Sequence, residues 1–231
     1  MTDRRAELAQ RLAAVRRRIE VASEAAGRSD PVSLVVVTKF FPASDVDLLA
    51  ELGVTDVGEN RDQEAAEKVT RLAHRERLRV HFIGQLQTNK AGSVARYADV
   101  VHSLDRPKLV GALDRAAGRE GRVLDALVQV ALDGAEGRGG APPERVPQLA
   151  DLVAASANLR LRGLMAVAPL GQDPHPAFAR LHELAGRVRA EHPDAGWVSA
   201  GMSGDLEAAI EHGATHLRVG SAILGSRPSH G

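Results

Sequence analysis

The first periodic stretch lies near the N-terminus. Over residues 4–26, Leu8, Leu12, Val15 and Ile19 recur at spacings of four and three, which places them on one face of a helix. Arg16, Arg17 and Arg18 in the same stretch read as a solvated face. Beyond residue 30 the period changes. The runs "LVVVT" (34–38), "VTDVG" (54–58), "LRVHFIG" (78–84), "ADVVHSL" (98–104), "LDALVQV" (124–130), "LRLRGLM" (159–165), "GWVSA" (196–200) and "THLRVG" (215–220) predict strands. Between them, patterns with one apolar face predict helices over 45–52, 107–118, 143–156, 176–192 and 205–213, with Gly213 as a helix stop.

Alternating strands and helices require parallel pairing with both sheet faces covered. Eight such repeats predict an α/β fold, a single (β/α)8 TIM barrel, with an extra N-terminal helix. An open doubly wound sheet would place a glycine-rich turn after its first strand, but "TKFFPAS" stands there. The expectation is one domain over residues 1–231, with 1–27 as a helix packed on the barrel and 226–231 as a frayed tail. Residues 134–144, "GAEGRGGAPPE", read as a mobile loop after the fifth strand.

Charge and composition narrow the function classes. Thirty basic and thirty acidic residues cancel among 231, so nothing points to nucleic acid or a membrane surface as partner. No cysteine is present, which removes disulfides, thiolate metal sites and a cysteine nucleophile. No apolar run approaches the ~20 residues of a membrane span, and the N-terminus lacks the apolar core of a signal peptide. A cytoplasmic location is expected. The nine histidines are scattered without an H-E-x-x-H spacing, so no metal site is expected.

In a barrel of this kind, chemistry gathers at the C-terminal ends of the strands. Lys39 follows the first strand, Glu59 and Asn60 the second, and Met165 ends the sixth. "SAGMSGD" follows the seventh strand and "GSAILG" the eighth, each a Gly/Ser turn before a helical pattern. Alone, either turn is ordinarily a helix cap. Together, at the two strands where such barrels hold phosphate, Ser203, Gly204, Gly220 and Ser221 suggest an anion site. Lys39 has two readings. Its head reaches water, or its apolar surroundings disfavour the charged form and make it a Schiff-base amine. Pyridoxal 5′-phosphate (PLP) would satisfy an amine and a phosphate site at once. Arg218, two residues before the second turn, could approach a pyridine nitrogen or simply pair with an acid.

The segments "VVVTKFFP", "GENRDQEAAEK", "HFIGQLQTNK", "LRGLMAVAP" and "SAGMSGDLEAAIEHGATHLRVGSAILGSR" resemble the pyridoxal phosphate homeostasis protein family, in family order from about residue 30 to residue 227. The resemblance implies a barrel like the N-terminal domain of alanine racemase, with PLP as a Schiff base on Lys39. It implies phosphate contacts from Ser203, Gly220 and Ser221, Arg218 near the pyridine nitrogen, and Asn60, Met165 and Met202 lining the cofactor. Ser221 stands where many relatives carry threonine, and Gln85 where they often carry proline. An alanine racemase also needs a tyrosine from a second domain. The only tyrosine here, Tyr97, falls on a helical stretch before the fourth strand. The leading expectation is therefore a monomeric carrier that stores PLP and delivers it through transient contact with apo-enzymes, without strong turnover. A weak amino-acid racemase or other PLP enzyme is the alternative, and a phosphate-binding barrel without PLP is a third class. Glu59 could orient the site or pair with a base. Lys90 could guard the site or be an ordinary surface charge.

Overall fold

The computed structural model describes residues 2–132 and 139–226. The strands are β1 (Ser33–Val37), β2 (Asp56–Glu59), β3 (Arg79–Phe82), β4 (Val100–Leu104), β5 (Leu124–Val130), β6 (Leu159–Ala166), β7 (Trp197–Ser199) and β8 (His216–Val219). They pair in sequence order, all parallel, and β8 closes on β1 with Val36 opposite Val219. The barrel predicted from the alternation is present, with strand bounds within two residues of the expected ones at nearly every end. Helices α1 (Thr2–Ala25), α2 (Ala43–Glu51), α3 (Asp62–Val69), α4 (Ala91–Tyr97), α5 (Pro107–Arg119), α6 (Val146–Ala154), α7 (His175–Glu191), α8 (Leu206–Glu211) and α9 (Ser221–Leu224) surround it. Gly213 adopts φ 83° just after α8, the left-handed conformation that ends a helix.

Period-two alternation sorts the strand side chains into two compartments. Val36, Val57, Val80, Phe82 and Val101 join the large core between sheet and helices. Val100, Leu127 and Met165 form a separate small cluster with Trp197 inside the barrel. Val35 and Val37 also line it beside Gly58, and polar side chains fill much of the rest: His81, His102, Ser199, His216 and Arg218 are all buried.

The apolar face of α1 is buried as expected, with Leu8, Leu12, Val15 and Ile19 each at most 8% exposed. At about 1.5–3 kcal/mol per side chain this contributes roughly 6–12 kcal/mol before the entropy of ordering the helix. The arginine cluster faces solvent as expected, with Arg16 and Arg17 exposed and Arg18 39% exposed. It also ties the helix down: Arg16 donates to the carbonyls of Leu52 and Gly53 (3.4 and 3.0 Å), and Arg18 to Glu207 (2.8 Å) and to the carbonyl of Ser203 (3.1 Å). Arg17 keeps to its own helix, beside Glu20.

The segment expected to be mobile is partly tied down. Residues 134–138 lie outside the described residues, as do 227–231 of the expected tail. Ala141, however, bridges to Val130, exchanging backbone bonds of 2.8 and 2.9 Å with Gln129 and Ala131.

Gly163 marks the tightest backbone contact in the barrel wall. It holds φ 148°, and a Cβ there would sit 1.9 Å from the carbonyl oxygen of Trp197. Gly186, inside α7, faces open space. Urea denaturation should therefore show opposite signs: Gly163→Ala destabilising by about 2–4 kcal/mol, Gly186→Ala stabilising by about 0.5–1 kcal/mol.

Candidate functional site

The turn after β1 is held by a buried ionic cluster. Lys68 on α3, 7% exposed, donates to Glu59 (2.8 Å), to Glu64 (3.1 Å) and to the carbonyl of Thr38 (2.9 Å). The Thr38 hydroxyl also donates to Glu59 (2.6 Å), and the backbone N–H of Phe40 donates to Glu64 (2.5 Å). Phe40 itself holds φ 72°, a left-handed conformation that costs of order 1–3 kcal/mol for a residue with a side chain. Lys39 lies between these two anchored residues, half-buried, with Nζ 5.8 Å from the Phe40 ring centre. Glu59 thus pairs with a base, and that base is the lysine that fixes the backbone on one side of Lys39. Burial outweighs Lys68 and Thr38 and raises the Glu59 pKa.

The two Gly/Ser turns after β7 and β8 are neighbours. The Ser221 hydroxyl donates to the Ser203 hydroxyl (3.2 Å), and so does the N–H of Ala222 (3.4 Å). Gly220 approaches the end of β1, where a Cβ would come 3.0 Å from the carbonyl of Val37. Because α9 has only four residues, its summed dipole is small, and individual N–H and hydroxyl groups are what an anion would meet. Met202 is half-buried in the turn after β7, its N–H held by Asp205 (2.6 Å).

Arg218 points into the barrel. It is 4% exposed, donates to Ser199 (2.6 Å) and to the carbonyl of Ala166 (2.8 Å), and makes no ion pair among the described residues. The reading of an ordinary strand arginine paired with an acid does not hold. Burial draws its pKa down to about 10, which leaves it charged at neutral pH. Met165 precedes the carbonyl that Arg218 grips, within the inner apolar cluster. Asn60 directly follows β2 and borders a cleft of about 620 Å³ shared with Arg61, Asp62, Gln85 and Lys90. Lys90 is 46% exposed and lies 3.8 Å from Asp62.

Sequence reasoning missed Lys68 and the inner histidines. The first carried a signal, since Glu64 and Lys68 stand four apart on one helix face. His81 and His102 share the parity of inward-facing strand positions, which the strand runs already contained. His175, Glu211 and His212 also come together, with the two imidazoles 3.2 Å apart. That trio is exposed on the outer helices and its rings already satisfy one another.

The family model for the alanine racemase N-terminal domain matches residues 10–228. A curated protein of Mycobacterium tuberculosis, named pyridoxal phosphate homeostasis protein, is 46% identical over 97% of this chain and 95% of its own length. The chain belongs to this family. Among solved structures, PipY of Synechococcus elongatus, determined with PLP bound, is 33% identical with a TM-score of 0.80, covering 94% of this chain and all of PipY. An alanine racemase from Streptomyces coelicolor shares the fold at 16% identity and TM-score 0.74, with 95% of this chain matching 58% of that protein.

Two outcomes are expected for this family member. Lys68→Met strands the Glu59 carboxylate in the interior and should cost about 3–5 kcal/mol in chemical denaturation. Adding Glu59→Gln should recover at least half of it. The second concerns pH. Burial holds His102 well below the usual imidazole range and His216 at about 3. Unfolded, both bind a proton below about 6.5, so their stabilisation is full above that pH and declines as pH falls. Between pH 6.5 and 5 the loss is about 1.6 kcal/mol per histidine. The carboxylates with lowered pKa act only below that window, while Glu59, whose pKa burial raises, gains stability as pH falls and offsets only part of the two-histidine loss. Urea melts at pH 7 and 5 with equal midpoints would contradict this account.

Proposed function

We propose that this chain binds PLP at the C-terminal mouth of the barrel and serves intracellular PLP homeostasis by storing and delivering the cofactor. The observation that carries the reading is Arg218, a buried guanidinium that among the described residues makes no ion pair, is acted on by Asp205 only from a distance, and has bonds to Ser199 and the carbonyl of Ala166. A group that would cost several kcal/mol to strand is supported there by neutral acceptors, with donors to spare for one more. The PLP-bound relative at 33% identity supports the same ligand.

In this reading Lys39 Nζ holds the cofactor covalently, steadied by its anchored neighbours Thr38 and Phe40. Ser203, Ser221 and the N–H groups after Gly220 hold the phosphate, while Met165, Met202 and Asn60 line the ring. When bound, PLP supplies an aldehyde that amines capture reversibly. Arg218 meets the ring nitrogen as a donor, so that nitrogen stays unprotonated and the ring is a weak electron sink. That favours holding over carbanion chemistry.

The racemase alternative needs a second acid or base on the open face of the ring. Tyr97 cannot serve: it is 6% exposed at the end of α4, and burial together with the nearby Asp62 carboxylate drives its phenol pKa upward. Transfer to apo-enzymes, a monomeric state and a cytoplasmic location belong to the same proposal. No helix among the described residues is long and apolar enough to cross a membrane.

Purified protein with PLP should absorb near ~420 nm. Borohydride should fix the pyridoxyl group on Lys39, and Lys39→Ala should lose the band. A label on Lys90 or Lys68 would displace Lys39 from its role. Ser203→Ala should weaken PLP about tenfold to a hundredfold, the worth of one hydrogen bond to a charged group. Pyridoxal, lacking the phosphate, should be nearly indifferent. Holo protein should reactivate a PLP-depleted enzyme and leave L-alanine unracemised. Racemisation at enzymatic rates, lost in Lys39→Ala, would promote the alternative.

A further inference from the structure

A hydrogen-bonded chain crosses the interior of the barrel and ends on Arg218. Asp56, the first residue of β2, lies 2.8 Å from His81 Nε2. His81 Nδ1 lies 2.8 Å from His102 Nε2, and His102 Nδ1 lies 3.0 Å from the Ser199 hydroxyl. Arg218 Nη1 reaches the same hydroxyl at 2.6 Å. His81 and His102 are fully buried, and Ser199 is too.

A guanidinium only donates, so the Ser199 oxygen accepts from Arg218, but its second lone pair leaves the serine proton undetermined from that end. The other end decides. An ionised Asp56 only accepts, so a neutral His81 carries its proton on Nε2 and accepts at Nδ1 from His102 Nε2–H, and His102 Nδ1 then accepts from the Ser199 hydroxyl. The chain thus runs one way, from a cation on β8 to an anion on β2, through three neutral groups. The alternative direction needs a doubly protonated His81. That would add a second cation to a dry compartment that already holds Arg218.

The geometry points to Asp56, His81, His102 and Ser199 as positioning residues that hold the Arg218 guanidinium in one orientation toward the ring nitrogen of a bound pyridine cofactor. The inference rests on the PLP reading above. The depressed imidazole pKa of His102 agrees with a neutral ring. Thr55 and His81 together hold Asp56 ionised against the cost of its burial. Arg79 also faces Asp56, but it is engaged by Asp125 at 2.7 Å and lies over the Trp197 ring. Ser199 is the link that decides the outcome, because among the described residues its hydroxyl is what joins an imidazole to the guanidinium.

Two measurements test this. Nitrogen NMR of the histidine side chains in cofactor-free protein should show His81 and His102 as Nε2–H tautomers, and Ser199→Ala should release that preference at His102. PLP titration should show Asp56→Asn weakening binding about twofold to tenfold, the worth of one modest hydrogen bond, with a shifted cofactor absorbance. Ser199→Ala should weaken it at least as much, and Ser199→Thr should retain affinity. The double variant Asp56→Asn/Ser199→Ala should be no weaker than Ser199→Ala alone, since the broken link already isolates Asp56. Additive losses, wild-type affinity in Asp56→Asn, or an Nδ1–H tautomer at His102 would each overturn the inference. Wild-type protein with the expected tautomers but no PLP band would sink the cofactor reading and leave the chain standing. Reversed tautomers in PLP-binding protein would do the opposite.

Discussion

A closed parallel barrel forces every second strand residue into a space that water cannot fill. Most of the structure's particulars follow from how this chain fills it. An all-apolar interior would need only volume. Here a permanent cation, Arg218, occupies that space, and a cation out of water must be solvated by the protein itself. The carbonyl of Ala166 and the hydroxyl of Ser199 meet it directly, and the His102 and His81 imidazoles extend the polar path to Asp56. The apolar contribution includes the small group around Met165 and Leu127 and the pair Val35 and Val37. Polar filling makes the interior directional, because hydrogen bonds have donors and acceptors where packed methyl groups have neither.

The second constraint acts at the mouth. The chain must turn sharply after β1, and it does so through a phenylalanine in the left-handed region instead of a glycine. Such strain persists only where the surroundings over-determine it. Glu64 on the Phe40 N–H and Lys68 on the Thr38 carbonyl supply that determination from α3. The same residues that force the turn also leave Lys39 little freedom of backbone, so an amine on a long flexible stem starts from a fixed base. Two lysines differ in kind: Lys68 is sunk and paired, and Lys39 is half-buried with its head beside the Phe40 ring.

The fold was legible in the sequence because its signals are local. Strand runs such as "LDALVQV" and helical faces such as that of α1 report their own periodicity, and eight repeats leave few topologies. The glycine–serine turns were legible for the same reason. What the sequence withheld were relations between distant positions. Ser203 and Ser221 could each be a cap, and only closure of β8 on β1 makes them neighbours. That Arg218 makes no ion pair among the described residues could not be seen either, since an arginine on a strand looks the same whether or not an acid faces it. The arginine cluster in α1 was legible as a solvent-facing patch, but the partners Arg16 and Arg18 reach lie far along the chain. His81 and His102 lay within the strand runs, but nothing local distinguishes a histidine that links to a neighbour from one that merely fits.

Helix α1 makes one further difference. Arg4 reaches the carbonyl of Leu224 and Arg18 that of Ser203, so the first helix grips the two turns nearest the chain's other end. β1 likewise waits for β8. During synthesis the apolar face of α1 therefore leaves the ribosome uncovered, and much of the surface it needs, on α8 and α9, is made only after β7. Contacts of such long sequence separation form late. The turns after β7 and β8 and the strand that leads to Lys39 are thus brought together in a single closing event.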